Sequence, residues 1–195
     1  ATAGAIIATG ARPVFVDSED GFVINIGKIE TAITKKTRAI IPVHYTGNVA
    51  DMPALMEIAE RHGLEVIEDC AQAIGAQLND MPVGSWGRSG AFSVHPLKNI
   101  NVWGDGGLIL TGDETFAEQL RLYRNHGLTD RDHVQIFGVN CRLDSIQAVV
   151  GNRLIKRAPD ITERRISIAN RFDEAFADID EVRIPKRRPG VRHVF

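Results

Sequence analysis

Between Arg38 and Asp69 the chain runs apolar, then helical, then apolar again with short joins, and this alternation constrains the fold more than any other feature. Arg38-Ala39-Ile40-Ile41-Pro42-Val43-His44 is a strand-like run. Asp51 to His62 carries Met52, Leu55, Ile58 and Ala59 at helical spacing, with Asp51 placed as an N-cap and Gly63 as a C′ residue. Leu64 to Asp69 is the next strand. Strands joined through one helix at this spacing make βαβ units, whose strands run parallel. The sequence therefore predicts an α/β fold on a mostly parallel sheet.

The same pattern extends both ways. Pro13-Val14-Phe15-Val16-Asp17 reads as an earlier strand, and Gly90–Val94 and Gly107–Thr111 as later ones. From Asp113 the pattern turns helical through Phe116, Leu120 and Tyr123, stopping at Gly127, and Thr129 to Asn140 reads as a loop. A long helix is expected from Leu143, with Ile146, Val149, Val150 and Leu154 on its apolar face and Pro159 ending or kinking it. Ile161 to Ile179 continues helical, and Val182 to Phe195 begins something new. The division this suggests is a large domain over 1–157, then a linking helix and the start of a smaller α/β domain over 158–195. The chain opens inside an amphipathic element and closes on an opening strand, as a piece of a longer protein would.

Composition excludes several functions. The 195 residues are 44% hydrophobic and 25% charged with a net charge of −2, which gives no electrostatic footprint for nucleic acid or a membrane surface. No apolar run approaches the roughly 18 residues that span a bilayer. The only cysteines, Cys70 and Cys141, lie far apart, which points to a reduced, cytoplasmic setting rather than a disulfide framework. No Walker loop or His-Glu-x-x-His is present, no histidine pairs with a cysteine at zinc-ligand spacing, and Ile109 stands where a dinucleotide loop starting at Gly104 needs its third glycine.

Chemistry gathers at strand ends, where open α/β sheets bind ligands. Asp69 ends one strand; a carboxylate there either caps the following helix or partners a cationic group of a ligand. Ser93 and Lys98 follow the next strand end, in Phe92-Ser93-Val94-His95-Pro96-Leu97-Lys98-Asn99. Taken alone, Lys98 reads as a surface lysine on a connecting loop. Beside an acid and a hydroxyl it makes the set that pyridoxal 5′-phosphate (PLP) requires. That cofactor needs an amine to bind its aldehyde, a carboxylate for its ring nitrogen, and hydroxyl or amide donors for its phosphate.

Five blocks carry a more specific signal. They are Val66-Ile67-Glu68-Asp69-Cys70-Ala71-Gln72-Ala73-Ile74-Gly75-Ala76, Phe92–Asn99, Gly104-Asp105-Gly106-Gly107, Arg124-Asn125-His126-Gly127-Leu128, and Asn140-Cys141-Arg142-Leu143-Asp144-Ser145-Ile146-Gln147-Ala148. In this order they resemble the DegT/DnrJ/EryC1/StrS family of sugar aminotransferases, which adopt the aspartate-aminotransferase-like (fold type I) architecture, over essentially the whole chain. The resemblance implies PLP as cofactor and roles for matching residues. Lys98 would hold the cofactor and move the substrate proton, and Asp69 would pair with the ring nitrogen. Gln72 would lie by the ring and its phenolic oxygen, and Ser93 would hold the phosphate. Asn140 would reach the phosphate of a neighbouring subunit, which implies a homodimer with shared sites; a turn residue before the helix cap is the other reading of Asn140. Asp144 is expected to serve the helix start.

The implied reaction moves an amino group from an amino acid, glutamate being the expected donor, to a nucleotide-linked keto sugar. The Gly-Asp-Gly-Gly form favours C3 over C4. Two alternatives are a PLP-binding regulatory protein without transaminase activity and a PLP-dependent sugar dehydratase, whose relatives replace the lysine with histidine. Ile74 departs from the family's usual Ser or His. The family's upstream phosphate loop and ring-stacking aromatic would precede Ala1, and most of its C-terminal domain would follow Phe195. Residues 1–195 alone are therefore expected to be inactive.

Overall fold

A computed structural model describes residues 1–195. In chain order its elements are helix α1 (Thr2–Ala8), a 3-10 turn (Ile26–Lys28) leading into α2 (Ile29–Ala32), strand β1 (Ala39–Ile40), a 3-10 turn (Tyr45–Gly47), α3 (Met52–His62), β2 (Glu65–Asp69), β3 (Gln77–Leu78), β4 (Met81–Pro82), β5 (Ser89–Ser93), β6 (Gly107–Leu110), α4 (Glu114–Tyr123), α5 (Ser145–Ile155), α6 (Ala158–Phe176) and β7 (Val191–Arg192). The main sheet has the order β1-β2-β5-β6, and a smaller one the order β4-β3-β7. In the main sheet β1 and β5 flank β2 in parallel, and β6 closes the edge antiparallel to β5. The α/β class and mostly parallel sheet expected from the sequence are both present.

The βαβ unit forms for the reasons its sequence gives. Asp51 Oδ1 accepts from Ala54 N at 3.3 Å, and Pro53 occupies the first turn, where a missing N–H costs nothing. Gly63 ends α3 in the left-handed region at φ 62°, which lets Leu64 N reach Ala59 O at 2.8 Å and turn the chain into β2. Met52, Leu55, Ile58 and Ala59 are the buried face, as their spacing predicts. They join Val23, Ile29, Ile40, Val49, Val66, Ala73, Leu78 and Val194 in one core.

Several expectations need correction. Pro13–Asp17 forms no strand: a single bridge joins Ser18 to Ile24, and no strand runs alongside the segment. The run Arg38–His44 yields only a two-residue strand, extended by a bridge between Val43 and Asp69, because Pro42 has no N–H for the ladder. Helix α4 stops at Tyr123, and Gly127, at φ 73°, instead bonds back to Leu122 O at 2.8 Å. The helical stretch expected from Leu143 is broken just ahead of Pro159, as its proline requires: α5 ends at Ile155, and Pro159 lies in the first turn of α6. Leu78 pairs with Val191 and Gln77 with Arg192, and Val194 is fully buried in the main core. No helix is long and apolar enough to cross a membrane.

Candidate functional site

Glu68 and Asp69 are consecutive, so the pleat of β2 sends them to opposite faces. Glu68 is fully buried and Asp69 half-buried. Glu68 sits in a closed ring of donors: Gly84 N at 2.7 Å, Trp86 N at 2.8 Å, Gly87 N at 3.0 Å and His44 Nε2 at 3.0 Å. Ala50 N–H donates to His44 Nδ1 at 3.3 Å, which leaves the ring proton on Nε2, pointing at Glu68. Burial alone would raise the Glu68 pKa, but the hydrogen bonds from His44, Gly84 and Gly87 outweigh it and hold the carboxyl below its ordinary value.

Cys70 lies close by, with its sulfur and one ligand atom each of His44 and Glu68 within 4.8 Å of one another. Metal binding does not fit this trio, because both Glu68 oxygens are already saturated with donors. Burial, with the charges of Glu68 and Asp69, pushes the Cys70 thiol up and keeps it protonated.

On the other face, Asp69 is fixed by backbone and side chain alike. Its N–H donates to Pro42 O at 2.9 Å, and its carbonyl accepts from His44 N at 3.0 Å. Oδ1 accepts from Ala71 N at 3.1 Å, closing a tight turn, and Oδ2 accepts from the Thr2 hydroxyl at 2.6 Å. No helix follows, so Asp69 caps a turn rather than a helix.

Gln72, three residues on, accepts at Oε1 from Thr46 N at 2.9 Å, which turns its Nε2 donors away from that bond. Thr46 holds φ 56°, a costly conformation for a β-branched residue. Its carbonyl bonds His193 Nε2 at 2.8 Å, and burial lowers the His193 pKa, so the ring is kept as a neutral donor.

Register brings Asp69 opposite Ala91, and Ser93 ends the same strand two residues later. Ser93 Oγ accepts from His95 N at 3.3 Å. Lys98 sits in the following turn, half-buried, its N–H bonded to His95 O at 2.8 Å and its ammonium in no ion pair. Asn99 Nδ2 donates to Phe195 O at 3.4 Å. Thus Asp69, Gln72, Ser93 and Lys98 all stand on two adjacent strand ends or the turns that leave them.

Asn140 shares no hydrogen bond with these four. It is exposed, bridges to Asn125, and accepts from Arg142 Nε at 3.0 Å. Asp144 does serve the helix start: it forms a capping box with Gln147 at the head of α5. Sequence reasoning missed Thr2, the donors around Glu68, and the Thr46 and His193 contacts. Only the Glu68-Asp69 doublet hinted at any of this, since two adjacent acids on a strand must face different surroundings.

The profile of the DegT/DnrJ/EryC1/StrS aminotransferase family matches residues 1–195. The chain belongs to this family. It is 45% identical over its whole length to the UDP-N-acetyl-3-dehydro-alpha-D-glucosamine 3-aminotransferase of Acidithiobacillus ferrooxidans, covering 53% of that protein. It is 44% identical, with the same coverage, to a pleiotropic regulatory protein of Geobacillus stearothermophilus. Among solved structures, DesV from S. venezuelae in complex with a ketimine intermediate superposes with a TM-score of 0.96 at 38% identity, over 99% of this chain and 52% of DesV. The chain thus spans about half the length of the relatives it matches. Aminotransferases of this family have the fold type I architecture and use PLP.

The residues present fit that cofactor by the chemistry of the donor set. An unpaired amine, a carboxylate with lone pairs to spare, an amide whose Nε2 is still available and a hydroxyl stand on one edge of the sheet.

Proposed function

We propose that this chain is the lysine-bearing half of a PLP-dependent aminotransferase that acts on a nucleotide-linked keto sugar, with an amino acid, glutamate, as donor. The observation that carries the reading is that Asp69 ends β2 while Lys98 lies in the turn that leaves the neighbouring β5, within a family of aminotransferases. When bound, PLP supplies an electron sink that stabilises negative charge at the donor α-carbon.

The chain's own residues do the rest. Lys98 would hold the cofactor through Nζ and, released from it, take the proton from the donor α-carbon. Asp69 would keep a proton on the ring nitrogen. Gln72 would donate from Nε2 to the phenolic oxygen, because its Oε1 is already occupied by Thr46. Ser93 would donate to the phosphate. Asn140 would serve the site of a second copy, in a homodimer; its exposed side chain is open to such a neighbour. Amination at C3 is favoured by the relatives named for 3-amino sugars, at 45% and 38–40% identity.

The full-length protein should show the visible absorption of lysine-bound PLP and aminate a UDP- or dTDP-linked 3-keto sugar with glutamate. Lys98→Ala should abolish both. A full-length protein that holds PLP through a borohydride-reducible bond yet aminates no keto sugar would favour a second reading, a PLP-binding regulator. The 44% identity to a pleiotropic regulatory protein is the observation behind that alternative. The presence of Lys98 disfavours the dehydratase.

A further inference from the structure

We propose that Thr2 is a positioning residue for the Asp69 carboxylate; this rests on the reading of Asp69 as the partner of the PLP ring nitrogen. Thr2 Oγ1 lies 2.6 Å from Asp69 Oδ2, across 67 positions of sequence. A carboxylate is acceptor-only, so the hydroxyl donates, and the length is that of a charge-assisted O–H···O⁻ bond. Ala71 N–H holds the other oxygen at 3.1 Å. With one donor on each oxygen, the carboxylate plane cannot rotate, and the lone pairs that remain face a fixed direction. A ring nitrogen bound there would meet an acceptor already oriented.

The Thr2 hydroxyl donates to no other acceptor, and Asp69 Oδ2 accepts from no other donor. Across the strand, Glu68 is saturated by four other donors, so the Thr2 hydroxyl is the one side-chain donor given to the acid that faces the site.

The test uses the full-length protein and measures PLP affinity by titration, with borohydride reduction to confirm the lysine bond and circular dichroism to confirm the fold. Thr2→Val keeps the shape and removes the donor, and should weaken PLP binding about tenfold, the worth of one hydrogen bond to a charged group. Thr2→Ser restores the hydroxyl and should stay within about threefold of wild type. In an Asp69→Asn background, Thr2→Val should add no more than about twofold, since its effect passes through the charged carboxylate. Equal losses in the Val and Ser variants, a Val variant that binds like wild type, or a full tenfold loss on top of Asp69→Asn would each overturn the proposal. A wild-type protein that takes up no PLP at all would instead overturn the reading of the site, and the proposal with it.

Discussion

At the scale of single residues, the two adjacent acids do different work because the strand separates them. Glu68 is a structural charge: four donors surround it in the core, and none of its oxygens is left for a ligand. Glu68→Gln would turn an NH₂ group toward backbone N–H donors, and should cost about 3 kcal/mol of stability in chemical denaturation. The pH dependence has a fixed sign. Because the folded pKa of Glu68 lies below its unfolded value, its contribution is complete above the ordinary glutamate range and is lost as pH falls through the folded value. The wild type should therefore lose stability on acidification below about pH 4.5 more steeply than Glu68→Gln. Equal slopes would contradict this account of the carboxylate.

The candidate site was legible at this scale only in part. Lys98, Asp69, Gln72 and Ser93 stand in blocks with a recognisable order, and they lie at two neighbouring strand ends or in the turns that follow. What holds them was hidden, because Thr2, Thr46 and His193 come from distant parts of the chain. A threonine in a helix and a threonine in a turn look alike in sequence; contact across 67 or 147 positions is decided by the fold.

Among the elements, α3 and β2 could be read from sequence because every local signal agreed: cap, periodicity and C′ glycine. Pro13–Asp17 misled because β-branched and aromatic residues report a preference for extended backbone, whereas a strand also needs a partner. Strand β7 was legible as an opening strand, but its partner was not: Val191 and Arg192 pair with β3, more than a hundred positions earlier, and nothing local in the sequence names that partner.

Strand β5 is held tightly for a reason the sequence only hints at. A Cβ on Gly90 would run into Gly84 Cα, so two glycines must meet where the 84–87 loop reaches Glu68. Gly90→Ala should cost about 2–3 kcal/mol through forced displacement, readable as a lower unfolding midpoint. It should also weaken PLP binding in the full-length protein, because β5 ends at Ser93 and pairs with the strand that carries Asp69. A neutral Gly90→Ala would show that the loop yields freely.

For the whole molecule, the surface is the telling quantity. The chain exposes 13030 Å², while a compact chain of 21.4 kDa should expose roughly 9,000 Å². The excess is apolar in the second half: all four residues of β6 are exposed, α5 has no buried residue, and Leu97, Trp103, Phe137 and Ile146 are 87%, 78%, 99% and 71% exposed. Patches of this kind mark surfaces that other polypeptide covers. Residues 1–195 expressed alone should bind the dye ANS strongly and catalyse no transamination, while the full-length protein should bind it weakly. Weak dye binding by the isolated segment would mean that these faces close on themselves.

The central claim is that Lys98 carries the cofactor. The most direct measurement is borohydride reduction of the full-length protein with bound PLP, followed by peptide mass spectrometry. The account predicts a pyridoxyl adduct on the peptide holding Lys98 and on no other lysine, lost in Lys98→Ala. An adduct on a different lysine, or one that survives Lys98→Ala, would contradict it.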